Sequence, residues 1–209
     1  YTLIVLSATA LIAVSLFLRT ERDLYHSIEH AAFQVTTIIS TTGFFTKDFN
    51  LWPHFCRCIL LLVMFIGGCA GSTAGGMKVS RIVLLLKLVK RELRRILHSR
   101  EVRPITLDGQ RVEEETLSAI SAFFFSYVAI LLLCTTVVSL DEVNLSTALS
   151  AATTSISNVG PGLSLAGPTE NFAFFSPLSK LTLSLTMLLG RLEIMPLLVL
   201  LMPSVWRRK

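Results

Sequence analysis

Between the apolar runs 58–66 and 79–89, where a membrane helix is expected to continue, the chain reads Gly-Gly-Cys-Ala-Gly-Ser-Thr-Ala-Gly-Gly over residues 67–76. Five of the chain's eleven glycines fall here: Gly67, Gly68, Gly71, Gly75 and Gly76. A glycine in a helix interior costs about 1 kcal/mol relative to alanine, so the stretch is not an ordinary helical turn. Lipid offers no water to exposed backbone groups, so a broken helix at membrane depth survives only against protein or a water-filled cavity. The stretch therefore predicts an intramembrane loop, with Ser72 and Thr73 at its tip, beside an aqueous path.

Composition agrees with a membrane setting. Hydrophobic residues make up 52% of the chain and charged residues 16%, with a mean hydropathy of +0.66. Soluble domains carry about 25% charged residues, so the sequence reads as an integral membrane protein. Four to six embedded segments of about 20 residues fit its length. No cleavable signal is visible, and the first residue already lies in the apolar run 1–18, so the chain is expected to begin mid-protein. The net charge of +5 is not spread as a nucleic-acid binder would spread it. Ten of the nineteen Lys and Arg lie between Lys78 and Arg111, and Arg207, Arg208 and Lys209 end the chain. Short cytoplasmic loops carry this bias, which places both clusters on the inner side. Cys56, Cys58, Cys69 and Cys134 read as small core residues; Cys56 and Cys58 lack a second ligand pair for a metal.

Three segments follow: a repeat over 1–98, a cytoplasmic connector over 99–115 and a second repeat over 116–209. Each repeat reads as spanning helix, acidic turn, short polar helix, Gly-containing hairpin and spanning helix. In the first, Glu21 and Asp23 precede the half-apolar stretch 24–40, which runs into Thr41, Thr42, Gly43 and Phe44. Trp52 and Pro53 read as an interfacial aromatic and a helix start, and a basic helix is expected over 77–97. Pro104 and the Asp108-Gly109 pair are turn signals in the connector. The second repeat has a spanning run over 116–140, then Asp141 and Glu142. A Ser/Thr/Ala-rich stretch 144–157 leads to Asn158, Val159, Gly160, Pro161 and Gly162, and the last run covers 172–202. Asp23 to Gly43 is twenty residues and Asp141 to Gly160 nineteen. Internal repeats on the bilayer scale build transport sites, and a repeated helix–pore loop–helix unit also builds a cation filter.

A dehydrated K+ needs carbonyl or hydroxyl oxygens in place of its water shell. Backbone turned to aim carbonyls inward needs residues that accept positive φ, which glycine does. Gly43 and Gly160 can each be read as plain turn glycines; their matched offsets after matched polar helices favour filter strands. Arg191 is the second anomaly, since a central Arg costs about 2.5–3.5 kcal/mol on insertion scales. It stands thirty-one residues after Gly160, and Ser72 to Gly76 stand twenty-nine to thirty-three after Gly43. Arg191 is thus expected at the depth of the glycine loop, where its guanidinium meets freed carbonyls and sets a positive charge across the ion path. The competing reading pairs Arg191 with Glu193, but residues two apart on a helix point to different faces. Lys78 and Arg81 read as ordinary inner-side charges with a lesser claim on the gate. His26, Glu29 and His30 have metal-like helical spacing but fit a packed pore helix better. The P-loop likeness of 71–78 fails, because Lys78 comes one place late and no strand precedes it.

At Thr41 to Phe44, at 67–78, at Ser157 to Gly162 and at Gly190 to Glu193 the chain resembles the Trk/Ktr/HKT family of K+ transporters, in its bacterial TrkH-like branch. The likeness runs over nearly the whole chain, and the glycine loop and late Arg are its most specific parts. It implies an all-α integral membrane fold of tandem membrane helix–pore loop–membrane helix repeats, here the third and fourth of four around a pseudo-four-fold pore. It implies a K+ filter at Thr41, Thr42, Gly43, Phe44, Asn158, Val159, Gly160 and Pro161, with K+ held at Thr42, Gly43, Val159 and Gly160. The gate is then Gly67, Gly68, Gly71, Ser72, Thr73, Gly75, Gly76 and Arg191. K+ is the transported ion, with no organic cofactor. The implied partners are the first two repeats of the same parent chain, a second copy in a homodimer, a cytosolic nucleotide-binding ring and the lipid membrane. The implied location is the bacterial inner membrane, multi-pass, with the 99–115 connector and the C-terminus cytoplasmic. Ala74 departs from a loop that often has glycine there. Two filter strands also cannot close a four-sided site, so a fragment of a longer chain is expected in preference to two copies meeting.

Two other functions compete. One is a secondary transporter binding an anionic solute at the broken helix, with Arg191 as counter-ion; the other is a structural membrane subunit, against which the cost of Arg191 argues. No nucleophile, base and oxyanion group converge, so an enzyme is not expected.

Overall fold

In the computed structural model, residues 1–20, 23–98, 104–107, 109–192 and 194–200 are described. The first apolar run forms α1 (Thr2–Arg19), and its partner in the second half is α5 (Glu114–Val138), which starts two residues before the expected 116. Both lie in stretches long and apolar enough to cross a bilayer, with hydropathies of 2.1 and 2.3. One face of α1 packs on α2 (Leu24–Ile39) and α3 (His54–Phe65), through Ile12, Leu16, Val35, Ile38, Leu60 and Met64. Its other face exposes Leu3, Leu6 and Leu18, the pattern of a helix facing hydrocarbon on one side. Trp52 is 6% exposed inside this cluster. Cys56 and Cys134 are buried, but Cys58 and Cys69 are exposed, so the core reading fails for two of the four.

In the second half α6 (Leu145–Ser157) is wrapped by α5, α7 (Pro177–Arg191) and α3. Its Ala, Ser and Thr side chains are small enough for neighbouring backbones to approach closely, and ten of its thirteen residues are buried. Asp23 caps α2, accepting from Tyr25 N at 3.0 Å. The matched acid does something else: Asp141 Oδ2 accepts from Ser176 N at 2.9 Å and clamps the start of α7, while Asn144 occupies the α6 N-cap. The two acids therefore share spacing but not role.

Both closing helices are broken. After α3 the chain leaves helical geometry until α4 (Val79–Leu97), two residues later than the expected 77. Ile66 and Met77 pair as a parallel bridge across the base of this gap. Gly67 N donates to Met77 O at 2.8 Å and Val79 N to Gly68 O at 3.2 Å, which satisfies backbone that the helix no longer serves. The run 172–202, expected as one helix, is two: α7 ends at Arg191 and α8 (Ile194–Leu200) follows. Pro196 accounts for the break, since it lacks an N–H and its ring clashes with the carbonyl four residues back. The connector also departs from an all-α fold, with an antiparallel pair of β1 (Thr106–Leu107) and β2 (Gln110–Arg111) turning at Gly109 with φ +79°. Glu21, Arg100, Asp108, Glu193 and the basic tail 201–209 lie outside the described residues.

Candidate functional site

The two short helices end in the same way. After α2, Thr41 takes φ +57° and Gly43 φ +80°; after α6, Asn158 takes φ +55° and Gly160 φ +115°. Thr42 N donates to Thr37 O at 2.9 Å, and Val159 N to Thr154 O at 3.0 Å, so each turn folds back on a threonine near the end of its helix. With the N–H groups aimed at the helix, the carbonyls face away from it. Among the described residues, no carbonyl of 41–43 or 158–160 accepts a hydrogen bond. The turns lie side by side: a Cβ on Gly43 would collide with the Val159 carbonyl. Only glycine combines that approach with positive φ. Phe44 is 70% exposed and Pro161 half-buried beyond the turns. The Asn158 side chain points away from them and donates to Met187 O at 3.1 Å, so it braces α7.

The loop 67–76 sits directly beneath. Gly75 lies against the Ser157 carbonyl with no room for a Cβ, and its N–H donates to Thr41 Oγ1 at 3.4 Å. Gly75 thus touches the entry to both turns. Gly71 takes φ +80° at the outer bend, where Ser72 N donates to Cys69 O at 3.1 Å. Three successive loop carbonyls are held by cations: Lys78 Nζ donates to Ser72 O at 2.6 Å and Ala74 O at 2.7 Å, and Arg191 Nη1 to Thr73 O at 2.6 Å. Charge-assisted bonds of this kind contribute about 1.5–3 kcal/mol each. Lys78, read from sequence as an ordinary inner-side charge, is thus tied to the loop. Arg81 stacks over the Phe123 ring at 4.1 Å. Lys78, Arg81 and Arg191 together line a cavity of about 270 Å³ under the loop. Gly67, Gly68 and Gly76 lie at the base of the loop, Gly67 beside the backbone of Gly75 and Gly76.

Elsewhere, His26 stacks on His30 with ring centroids 6.0 Å apart and lies 3.4 Å from Glu29. Among the described residues, no group of three or more such side chains is placed to hold a metal ion.

Comparison with known proteins returns one family. The sequence model of TrkH, a cation transport protein, matches residues 4–207. The chain belongs to the TrkH family of cation transport proteins. It is a family of membrane transporters rather than enzymes. Across TrkH-family relatives, the Trk system potassium uptake protein TrkH of Salmonella typhimurium is 39% identical over 181 residues, 87% of this chain and 37% of that one. TrkG of Escherichia coli is 30% identical over 185 residues, 88% of this chain and 38% of its own length. The crystal structure of the potassium transporter TrkH from Vibrio parahaemolyticus superposes with a TM-score of 0.88 at 35% identity, covering 99% of this chain and 44% of that one. The chain therefore spans about two fifths of the length of the relatives it matches.

Sequence reasoning missed Thr37 and Thr154, each six residues before a turn glycine. A threonine repeated at that fixed distance was a readable signal. It also missed Lys78 as a loop anchor, because a cation just past a membrane segment looks like any other.

Proposed function

We propose that this chain supplies two of the four corners of a K+ pathway through the bacterial inner membrane, the third and fourth repeats of a longer parent chain. The backbone oxygens of Thr42, Gly43, Val159 and Gly160 hold the dehydrated ion, flanked by Thr41, Phe44, Asn158 and Pro161. The carrying observation is the pair of similarly hydrogen-bonded turns whose carbonyls are uncommitted among the described residues and whose backbones meet at Gly43 and Val159. α2 and α6 aim their negative C-terminal ends toward the cavity, which favours a cation there.

The loop, Lys78 and Arg191 form the gate in its closed position. A cation 4 Å from a guanidinium is opposed by about 4 kcal/mol at an effective dielectric of 20. Passage then requires the loop and its cations to withdraw together. The basic ends of α4 and the connector face the cytoplasm, where a nucleotide-binding ring docks, and two parent chains pair as a homodimer. The solute-carrier reading loses support because Arg191 spends a donor on Thr73 O.

The test is Rb+ uptake by K+-starved cells expressing the intact parent chain, with Na+ as competitor and Gly160→Ser alongside. The expected result is uptake that Na+ inhibits poorly and a mutant that loses this preference. Background uptake in the parent, or an unchanged preference in the mutant, refutes the filter.

A further inference from the structure

On α4 the charged and apolar residues sort onto separate faces. Lys87, Lys90, Arg91, Arg94 and Arg95 recur at three- and four-residue steps and line a cavity of about 200 Å³ shared with Pro104, Ile105 and Thr106. Part of this charge is committed: Lys87 Nζ donates to Thr106 O at 2.7 Å, Arg91 makes a two-point contact with Glu114, and Arg95 lies 3.8 Å from Glu92. Among the described residues, Lys90 and Arg94 have no acidic partner. Beside them runs an apolar row, Leu86, Leu93 and Leu97, exposed to 65%, 59% and 76%. Leu86, Lys90 and Arg94 follow at four-residue steps, so the row and the uncommitted cations share one edge of the helix.

The Arg91–Glu114 contact fixes the depth of this edge. Glu114 is the first residue of spanning helix α5, so Lys90 and Arg94 stand within a turn of the level where hydrocarbon gives way to headgroups. A soluble anion has no use for the apolar row, and an apolar protein surface has none for two unpaired cations. A phospholipid with a net negative headgroup uses both.

We propose that the cavity between α4 and residues 104–106 takes the phosphodiester of an anionic phospholipid, its acyl chains running back toward the bilayer centre along the exposed Leu86 and Val89. This rests on the inner-side placement of α4 proposed above, not on the pore. The full-length parent chain is reconstituted in phosphatidylcholine vesicles carrying traces of spin-labelled phosphatidylglycerol or, in parallel, spin-labelled phosphatidylcholine. Electron spin resonance then reads the immobilised share of each label. Phosphatidylglycerol is expected in excess, the excess falling about fivefold for Lys90→Gln and for Arg94→Gln and persisting in Lys90→Arg. Equal shares in the wild type, or an excess indifferent to both glutamines, overturns the site. An excess erased by inorganic phosphate assigns the cavity to a soluble anion and overturns the lipid. Equal shares together with disulfide cross-linking of Leu93→Cys between subunits assign the row to a second copy. No arm reads ion flux, so a failed filter and a failed lipid site give different results.

Discussion

At the 37–43 turn Thr37 contributes only its carbonyl, and its buried hydroxyl has no partner among the described residues. At the 154–160 turn Thr154 contributes both groups, its Oγ1 accepting from Gly160 N at 3.0 Å. The second turn is braced further by Asn158 on Met187 and by Tyr127 OH, 2.9 Å from Ser157 Oγ. The first has the 2.7 Å contact between the Ser40 and Thr42 hydroxyls and the 3.4 Å contact from Gly75 to Thr41, and both polar atoms of nearby Gln34 are unpartnered among the described residues. Two turns that share the glycine and the threonine six places before it take nearly the same positive φ at Thr41 and Asn158, without equal support. Backbone geometry here comes from the Gly and the residue two before it, stiffness from whatever packs behind.

The sharpest way to break this comparison is to add the same methyl group to each turn. Gly43→Ala meets the Val159 carbonyl as well as a positive φ, whereas a Cβ on Gly160 has only Gly43 Cα at 3.9 Å and pays roughly 1–2 kcal/mol of backbone strain. Gly43→Ala is expected to abolish Rb+ uptake and lower protein levels, and Gly160→Ala to keep normal levels with a weakened K+ preference. Equal levels for the two would contradict the described contact. Next come the two cations, one from each repeat. Arg191→Ala and Lys78→Ala each remove charge-assisted bonds of about 1.5–3 kcal/mol, so basal Rb+ flux should rise about tenfold or more, and further in the double variant. Unchanged flux at normal protein levels removes that residue from the gate. Thr154→Val removes the hydroxyl that Gly160 N–H donates to, a part-buried bond, and should cost about 0.5–1.5 kcal/mol, seen as a lower melting temperature of the purified parent chain. Thr37→Val removes a hydroxyl that bonds nothing and should be close to neutral, so equal losses would refute unequal bracing. The smallest effects belong to the matched acids: Asp23→Ala removes a helix cap and should cost about 1 kcal/mol, and Asp141→Ala should loosen the Ser176 end of α7. Hydrogen exchange should locate the loss at the start of α2 in one and of α7 in the other.

Much of this arrangement is legible in the residues themselves. Glycine clustering located the gap between α3 and α4, because no helix tolerates five glycines in ten positions, and counting from Gly43 and Gly160 aligned Arg191 with that gap. What stayed hidden depends on tertiary context. Pro196 was present in the run 172–202, but hydropathy alone joined α7 to α8 across it. Asp141 read as the acid of the turn before 144–157, and only the fold brings Ser176 N within its reach. Lys78 is indistinguishable in composition from the charges after it, until the loop curls back over its ammonium.

The pairing of Ile66 with Met77 bears on how fast the loop can move. A clasp at the base keeps α3 and α4 in register whatever the loop between them does. Displacing the loop then needs no sliding of one packed helix past another, only release of the carbonyls of 72–74 and of the Gly75 contact. Segment motions of this kind run on microsecond-to-millisecond times. The clasp thus separates fast movement of the loop from the slower rearrangement of the bundle that carries it.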